Sequence, residues 1–226
     1  MPDIGKFIAG FKRFQDNYFG QDRHLYEQLK LGQYPRALVV ACCDSRVDPA
    51  ILTGSEPGDI FVVRNVANLV PPCEYGGGYH GVSAALEFAV CQLGVEHIIV
   101  LGHSQCGGIR ALMRGSGNCE NAEYVAKWVQ IAAPARDKVL QELPRQDFEL
   151  QVRACEQAAI LQSLENLLSF PWIAQRMSTG DLTAHGWYFD LDHGELLGYD
   201  PAVKSFVPLK EGETCRDSLP RAPETS

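Results

Sequence analysis

The chain has 226 residues, of which 46% are hydrophobic and 21% are charged, a balance typical of one globular domain. Its net charge of −8 argues against a nucleic-acid partner, because proteins that bind the phosphate backbone cluster Lys and Arg. No apolar run approaches the length of a membrane span, and residues 1–20 lack the hydrophobic core of a signal peptide. We therefore expect a cytoplasmic protein without a membrane partner, whose eight cysteines are reduced thiols or metal ligands.

The first half of the chain predicts a helix followed by strands. Apolar residues at three- and four-residue spacings predict a helix over residues 6–31. Three short apolar segments rich in β-branched residues then indicate buried strands of a parallel sheet, at residues 37–41, 60–66 and 97–101. Residues 81–94 predict a helix closed by Gly94. With the predicted strands on either side of it, this helix forms a β–α–β crossover.

The second half predicts further helices and a hairpin. Helical patterns cover residues 107–113, 120–140 and 148–168, and residues 185–201 alternate and turn at His193-Gly194. The polar residues 211–226 predict a loose tail. Because the chain has no repeat, linker or low-complexity block, we expect a single domain over residues 1–226. Its class is α/β, with a mainly parallel central sheet flanked by helices.

Two of the predicted strand ends carry residues that commonly bind metals. Cys42 ends the first strand, His103 ends the third, and Cys106 follows three residues later. Because the carboxyl ends of parallel strands meet at one edge of a sheet, we expect these three side chains to lie together. Two thiolates and one imidazole form a zinc set with one position open, which is the catalytic pattern. Each residue alone is more often structural, but the three together predict one Zn²⁺ per chain.

The residues after Cys42 add an ion pair to this set. If the chain stays extended, Cys42, Asp44 and Arg46 share one face and Cys43 points to the other. In that register Cys42 is the metal ligand, and Cys43 packs into the core. Arg46 would hold the Asp44 carboxylate by a forked hydrogen bond and keep it ionised.

Three stretches of the sequence, CCDSRVDP, EPGDIFVVRNVANLV and GHSQCGG, resemble the β-class carbonic anhydrases over residues 33–112. The resemblance implies a lyase, a carbonate dehydratase that interconverts CO₂ and bicarbonate with release of a proton. It implies that the three predicted ligands hold zinc and that a zinc-bound hydroxide attacks CO₂. Asp44 and Arg46 would be the catalytic pair that orients this hydroxide.

The resemblance is strongest to the plant-type subclass, which has an open metal site. The substrate-binding positions of that subclass correspond here to Gln33, Phe61, Val66, Phe88 and Gly107. Gln33 would hydrogen-bond the substrate, and the apolar side chains would form a slot suited to CO₂. The other subclass carries Trp where this chain has Val39. That difference predicts an open site near neutral pH, with Asp44 bound to Arg46 rather than to the metal.

The resemblance and the N-terminal helix together predict an oligomer. Phe7, Phe11 and Phe14 give this helix more apolar surface than a solvated helix normally has. We therefore expect it to pack on a neighbouring subunit, in a homodimer or a dimer of dimers as the family implies.

Two other functions use the same residues. A hydrolase of carbonyl sulfide or carbon disulfide would need the same zinc set, and the intact Gln33 favours CO₂ over these substrates. A zinc-stabilised binding or redox-sensing protein could use Cys42 and Cys43. The pair Asp44–Arg46 argues against that alternative, because a closed structural zinc site needs no such pair.

Overall fold

The computed structural model describes residues 4–21, 23–76, 78–115, 123–212 and 217–219. The chain divides into two compact units, residues 1–34 and residues 35–226. The expectation of a single domain over the whole chain stays a prediction. Most of the tail predicted over residues 211–226 lies outside the described residues.

The first unit is helical, as the sequence predicts, but its helix is interrupted. Helix α1 (Gly5–Gln15) continues into a π-helical segment (Asp16–Gln21), and α2 (His24–Leu29) follows. Within the unit the ring of Phe14 contacts Tyr18 and Tyr26, at centroid distances of 5.0 and 5.7 Å. The apolar side chains of α1, Phe7 and Phe11 among them, are mostly exposed in the single chain. Packing of α1 on a neighbouring subunit stays a prediction.

The second unit is built on a six-stranded sheet with the order β2-β1-β3-β4-β5-β6. The strands are β1 (Ala37–Cys42), β2 (Ile60–Asn65), β3 (His97–His103), β4 (Thr183–Asp190), β5 (Glu195–Asp200) and β6 (Ser205–Pro208). Strands β2, β1, β3 and β4 are parallel, and β5 and β6 add an antiparallel edge. The predicted α/β class, mainly parallel sheet and hairpin are therefore confirmed, whereas β6 was not predicted.

Seven α-helices accompany this sheet among the described residues. They are α3 (Pro49–Thr53), α4 (Gly81–Glu87), α5 (Gly107–Arg114), α6 (Glu123–Val129), α7 (Ala133–Glu142), α8 (Phe148–Leu167) and α9 (Pro171–Ser178). Helix α4 continues as a π-helical segment, Phe88–Leu93. No helix in the described part of the chain is long and apolar enough to cross a membrane.

Proline explains several of the differences between the predicted and the observed helices. The helix predicted over residues 120–140 is divided into α6 and α7 by a 3₁₀ turn, Gln130–Ala132, and residues 120–122 lie outside the described residues. Pro134 opens α7, a position where the missing N–H is harmless. Pro49 and Pro171 likewise open α3 and α9, two short helices that the periodicity did not predict.

Strands β1 and β3 are buried on both faces. Leu38 and Val40 belong to a core cluster that also contains Ile160 of α8. Val39 and Ala41, which point to the opposite face, belong to a separate cluster. This two-sided burial is the reason that the strands consist of nearly continuous apolar residues.

Two glycines allow close packing around the carboxyl end of the sheet. A Cβ atom on Gly102 would lie 2.6 Å from Cδ1 of Ile160, so a larger residue there would force this side chain of α8 to shift. A Cβ atom on Gly108 would lie 2.7 Å from Cγ1 of Val66, at the beginning of α5. These contacts fix two helices next to the strand ends where the sequence predicts the site.

Candidate active site

The predicted metal ligands converge at the carboxyl ends of two adjacent parallel strands. Cys42 is the last residue of β1, His103 is the last residue of β3, and Cys106 directly precedes α5. All three side chains are buried, and their ligand atoms lie within 4.8 Å of one another. The structure thus brings together the set that the sequence predicts, in an arrangement that could hold one metal ion.

The orientation of His103 suits a metal ligand. Its Nδ1 lies 2.8 Å from the carbonyl oxygen of Ser104 and therefore carries the proton that it donates to that oxygen. Its Nε2 is buried and has no hydrogen-bond partner within the described ranges. A buried nitrogen with a free lone pair is costly unless something binds it, and a metal ion would do so.

The pKa values of the two thiols also indicate a site suited to a metal ion. Contact with Cys106 lowers the pKa of Cys42 to about 4, even though burial opposes this effect. Contact with Cys42, together with burial, raises the pKa of Cys106 far above its ordinary value. Two thiolates at this distance in a buried site need a cation between them. The donor set therefore fits a divalent ion that accepts sulfur and nitrogen ligands, as Zn²⁺ does.

Buried groups on α8 and β4 hold the backbone of the second thiol. The Cys106 N–H donates to Oε1 of Glu156 at 2.8 Å, and the Tyr188 hydroxyl donates to Oε2 at 2.8 Å. Glu156 is only 3% exposed, and burial raises its pKa. Glu156 could not be predicted from the sequence, because its partners lie 50 and 32 residues away and no local motif connects them.

Asp44 and Arg46 form a forked ion pair beside the ligand set. Nε and Nη2 of Arg46 donate to the two carboxylate oxygens of Asp44 at 2.9 and 2.7 Å, and the Arg46 backbone N–H donates to Oδ1 at 3.0 Å. These hydrogen bonds hold the pKa of Asp44 well below its usual range. Oδ2 of Asp44 lies 3.9 Å from Nε2 of His103. The contact is as expected, and its part in catalysis stays a prediction.

The path of the chain after Cys42 differs from the predicted one. Strand β1 ends at Cys42, and a turn closed by the Val47 N–H and the Asp44 carbonyl, 3.1 Å apart, follows. Arg46 reaches Asp44 because of this turn rather than by alternation along a strand. Cys43 is exposed, so the prediction that it packs into the core is wrong.

Arg64, on the neighbouring strand β2, supports this turn. Its Nε donates to the carbonyl of Cys42 and its Nη2 to the carbonyl of Asp44, both at 2.8 Å. Its Nη1 donates to Oδ2 of Asp48 at 2.9 Å. One guanidinium thus ties together the residues that connect the first ligand to the ion pair.

The predicted substrate residues of the second unit are not all together in one chain. Val66 contacts the beginning of α5, where Gly107 follows Cys106. Phe61 and Phe88 stack on each other at 5.8 Å, but Phe61 is paired with Leu38, four residues before the end of β1. That register separates Phe61 from the ligand edge by about 13 Å. Gln33 lies in the first unit.

These features define a class of protein: an α/β protein with two thiols and one imidazole, which could hold a metal ion, at the carboxyl edge of its parallel sheet. The family model described as "Carbonic anhydrase" matches residues 37–196, which include the ligand set and the ion pair. The chain therefore belongs to the carbonic anhydrase family, and its relatives are of the β class.

Several relatives match over most of the chain. A carbonic anhydrase of Synechocystis is 39% identical over 202 residues, which cover 89% of this chain and 73% of that protein. The chloroplastic β carbonic anhydrase 5 of Arabidopsis thaliana is 42% identical over 188 residues, and the match spans 83% of this chain and 61% of that protein.

Solved structures have the same fold. The β-carbonic anhydrase CcaA superimposes with a TM-score of 0.88 at 37% identity, over 96% of this chain and 95% of that one. A β-carbonic anhydrase of Sordaria macrospora, described as tetrameric, superimposes with a TM-score of 0.69 at 29% identity, over 86% of this chain and 92% of that one.

Proposed function

We propose that the protein catalyses the reversible hydration of CO₂ to bicarbonate and a proton, with one Zn²⁺ per chain held by Cys42, His103 and Cys106. The observation that carries this proposal is the ionised Asp44 carboxylate next to a buried set of two thiols and one imidazole. A closed structural zinc site would not need a carboxylate held beside the ligands by its own arginine.

When bound, zinc would supply the Lewis acidity that makes a water molecule a nucleophile near neutral pH. Asp44 would accept a hydrogen bond from the attacking oxygen through Oδ2 and so direct its lone pair at the carbon atom of CO₂. Arg46 keeps this carboxylate ionised and oriented. A protonated Asp44 could not accept that hydrogen bond, so the low pKa of this group supports the assignment.

The apolar slot would be completed by a second copy of the chain. Val66 and Gly107 are near the ligand edge, whereas Phe61 and Phe88 are near the opposite end of the sheet. We infer that Phe61 and Phe88 act in the site of a partner subunit, in a homodimer or a dimer of dimers. Gln33 would donate to a substrate oxygen as negative charge develops there. Tetramers among the related structures support this assembly.

Two further assignments belong to the same proposal. The side chain of Val39 is buried in the sheet and offers no N–H donor, which supports the open plant-type site with Asp44 on Arg46. We also assign the protein to the cytoplasm, as a single domain over residues 1–226.

The test is stopped-flow CO₂ hydration by protein of known zinc content, with carbonyl sulfide and carbon disulfide as alternative substrates. We expect one zinc per chain and rapid CO₂ hydration that is lost with the metal. Protein with full zinc that turns over carbonyl sulfide or carbon disulfide but not CO₂ would contradict the proposal. Zinc-loaded protein inactive on all three substrates would support a binding or redox function instead.

A further inference from the structure

Gln105 holds the side of Arg46 away from Asp44. Nη1 of Arg46 donates to Oε1 of Gln105 at 3.3 Å, and Nη2 donates to the backbone carbonyl of Gln105 at 3.1 Å. The Arg46 side chain is 46% exposed, and an ion pair at such a site is weakened by water and by side-chain entropy. Contacts on both edges of the guanidinium restrict it to the plane in which it forks onto Asp44.

The amide of Gln105 is itself oriented by a second carboxylate. Its Nε2 donates to Oδ1 of Asp192 at 2.7 Å. An amide donates through nitrogen and accepts through oxygen, so donation to Asp192 leaves the oxygen to accept from Arg46. A flipped amide would direct N–H groups at the guanidinium and an oxygen at the carboxylate, which is unfavourable on both sides. Asp192 therefore selects the amide orientation that binds Arg46.

The backbone of Gln105 is in an uncommon conformation. Its φ is +59°, in the left-handed region that non-glycine residues avoid. A glycine would adopt this φ without strain, yet the chain has a long polar side chain at this position. Strained residues that persist are often maintained for a functional contact, and here both the carbonyl and the side chain of Gln105 bind Arg46.

Asp192 is fixed by the hairpin that carries it. Its N–H donates to Oδ1 of Asp190 at 2.9 Å, and the buried Asp190 carboxylate also binds Arg153 of α8 and His193. Two hydrogen bonds of Ser104, to the backbones of residues 189 and 191, attach the same hairpin to the loop that contains Gln105. The support is therefore part of the folded scaffold.

We propose that Gln105, oriented by Asp192, is a positioning residue that holds Arg46 on Asp44. The inference rests on the proposed function only insofar as Asp44 and Arg46 act in CO₂ hydration. Neither Gln105 nor Asp192 would contact the substrate. Their contribution is to prevent the exposed guanidinium from leaving the carboxylate, which would otherwise lose its orientation toward the attacking oxygen.

The experiment compares Gln105→Ala, Asp192→Ala and the double variant with the natural chain. We expect each single variant to keep its zinc and to lose kcat by a factor on the order of ten, the scale of a misplaced orienting group. The double variant should be no slower than the slower single variant, because the two residues act in series. Asp192→Asn keeps an oxygen acceptor and should recover most of the rate. Gln141→Ala, at an exposed position of α7, is the matched control.

Gln105→Gly separates positioning from folding. It relieves the positive φ, so it should unfold at higher urea concentration than Gln105→Ala and yet be equally slow. If Gln105→Gly restored the natural rate, backbone strain rather than the side chain would be the cause, and the proposal would fail. Rates within about twofold of the natural chain in both alanine variants would also overturn it, as would multiplicative losses in the double variant.

A second readout does not depend on turnover. Hydrogen exchange of the Arg46 Nε–H, measured by ¹⁵N NMR, should accelerate in Gln105→Ala and in Asp192→Ala and remain unchanged in Gln141→Ala. If the natural chain failed to hydrate CO₂, the proposed function would fall while this measurement still tested the support. Unchanged exchange in both variants would refute the positioning role whatever the activity.

Discussion

The two parts of the candidate site are held in different ways. The ligand set is buried, and its side chains are aimed by the ends of two adjacent parallel strands and by the residue before α5. The ion pair Asp44–Arg46 lies in a turn, is partly exposed, and is held by side chains from distant parts of the chain. The strand ends therefore position Cys42 and His103, whereas the pair depends on tertiary hydrogen bonds. Substitutions in the two parts should therefore have different effects.

The largest effect should come from the ligands. Cys42→Ser, His103→Ala and Cys106→Ser should each lose the zinc and reduce CO₂ hydration to the uncatalysed rate, because each removes a ligand that the fold cannot replace. Zinc content per chain and stopped-flow rates are the measurements. Cys43→Ser is the matched control, since this neighbouring thiol is exposed and should keep a full zinc complement. Loss of metal from Cys43→Ser but not from Cys42→Ser would mean that the assignment of the ligand is reversed.

Substitutions in the ion pair should lower the rate of CO₂ hydration and leave the metal in place. Asp44→Asn and Arg46→Ala should retain most of their zinc and lose turnover on the order of 10²-fold or more, because the orienting carboxylate is neutralised or released. Both quantities can be measured on the same preparations. Near-normal rates in both variants would reduce Asp44–Arg46 to a structural ion pair.

Removing the carboxylate that binds the backbone of Cys106 should lower the stability of the protein. Glu156→Ala leaves two buried donors without a partner and should lower the free energy of unfolding by about 3 kcal/mol. Glu156→Gln should lose about 1 kcal/mol, since an amide can accept from the Cys106 N–H and donate to the Tyr188 hydroxyl. Urea unfolding at fixed protein concentration measures both.

The control lies on the same helix. Glu149 of α8 pairs with Arg110 at the surface, and Glu149→Ala should change stability by about 0.5 kcal/mol or less. Equal losses in Glu149→Ala and Glu156→Ala would show that the buried hydrogen bonds to Cys106 and Tyr188 contribute nothing special.

The smallest effect should be a pH dependence of stability that arises in the hairpin of β4 and β5. The hydrogen bond to Asp190 raises the pKa of His193 above its ordinary value. Burial alone would raise the pKa of Asp190, but its bonds from His193 and Arg153 outweigh burial and hold that pKa at about 2. The contribution of the His193–Asp190 hydrogen bond to the free energy of unfolding is therefore complete below about pH 6.5. It is lost as the pH rises through the raised pKa of His193. The contribution of the ionised Asp190 carboxylate to the free energy of unfolding is lost only in acid, as the pH falls from about 4 toward 2.

Urea unfolding at pH 5.5 and at pH 8.5 checks this prediction. His193→Gln should destabilise the protein more at the lower pH, and in an Asp190→Asn background the difference between the two pH values should vanish. A larger effect of His193→Gln at pH 8.5 than at pH 5.5 would contradict the sign of the argument.

The sequence was informative where structure follows from the period of apolar residues. The strands that carry Cys42 and His103 are buried on both faces, so their apolar runs are continuous and their ends are sharp. Three ligands at those ends could be predicted to meet because parallel strands present their carboxyl ends at one edge. The helix over residues 148–168 was predicted nearly to the residue for the same kind of reason.

The rest depends on contacts that no periodicity encodes. Cys43 was assigned to the core from strand alternation, which stopped applying one residue earlier, where β1 ends. Glu156, Gln105 and Asp192 act through hydrogen bonds to partners 32 or more residues away in sequence. A pairing of that kind has no local signature, and only the folded chain reveals it.

Helix α8 contacts the residues next to one candidate ligand, His103, and the backbone of another, Cys106. Ile160 fills the space that Gly102 leaves beside His103, and one helical turn earlier Glu156 holds the backbone of Cys106. The residues around His103 and Cys106 thus contact a single helix, whereas Cys42 is supplied by β1. A substitution that shifts α8 would therefore act on two of the three candidate ligands at once.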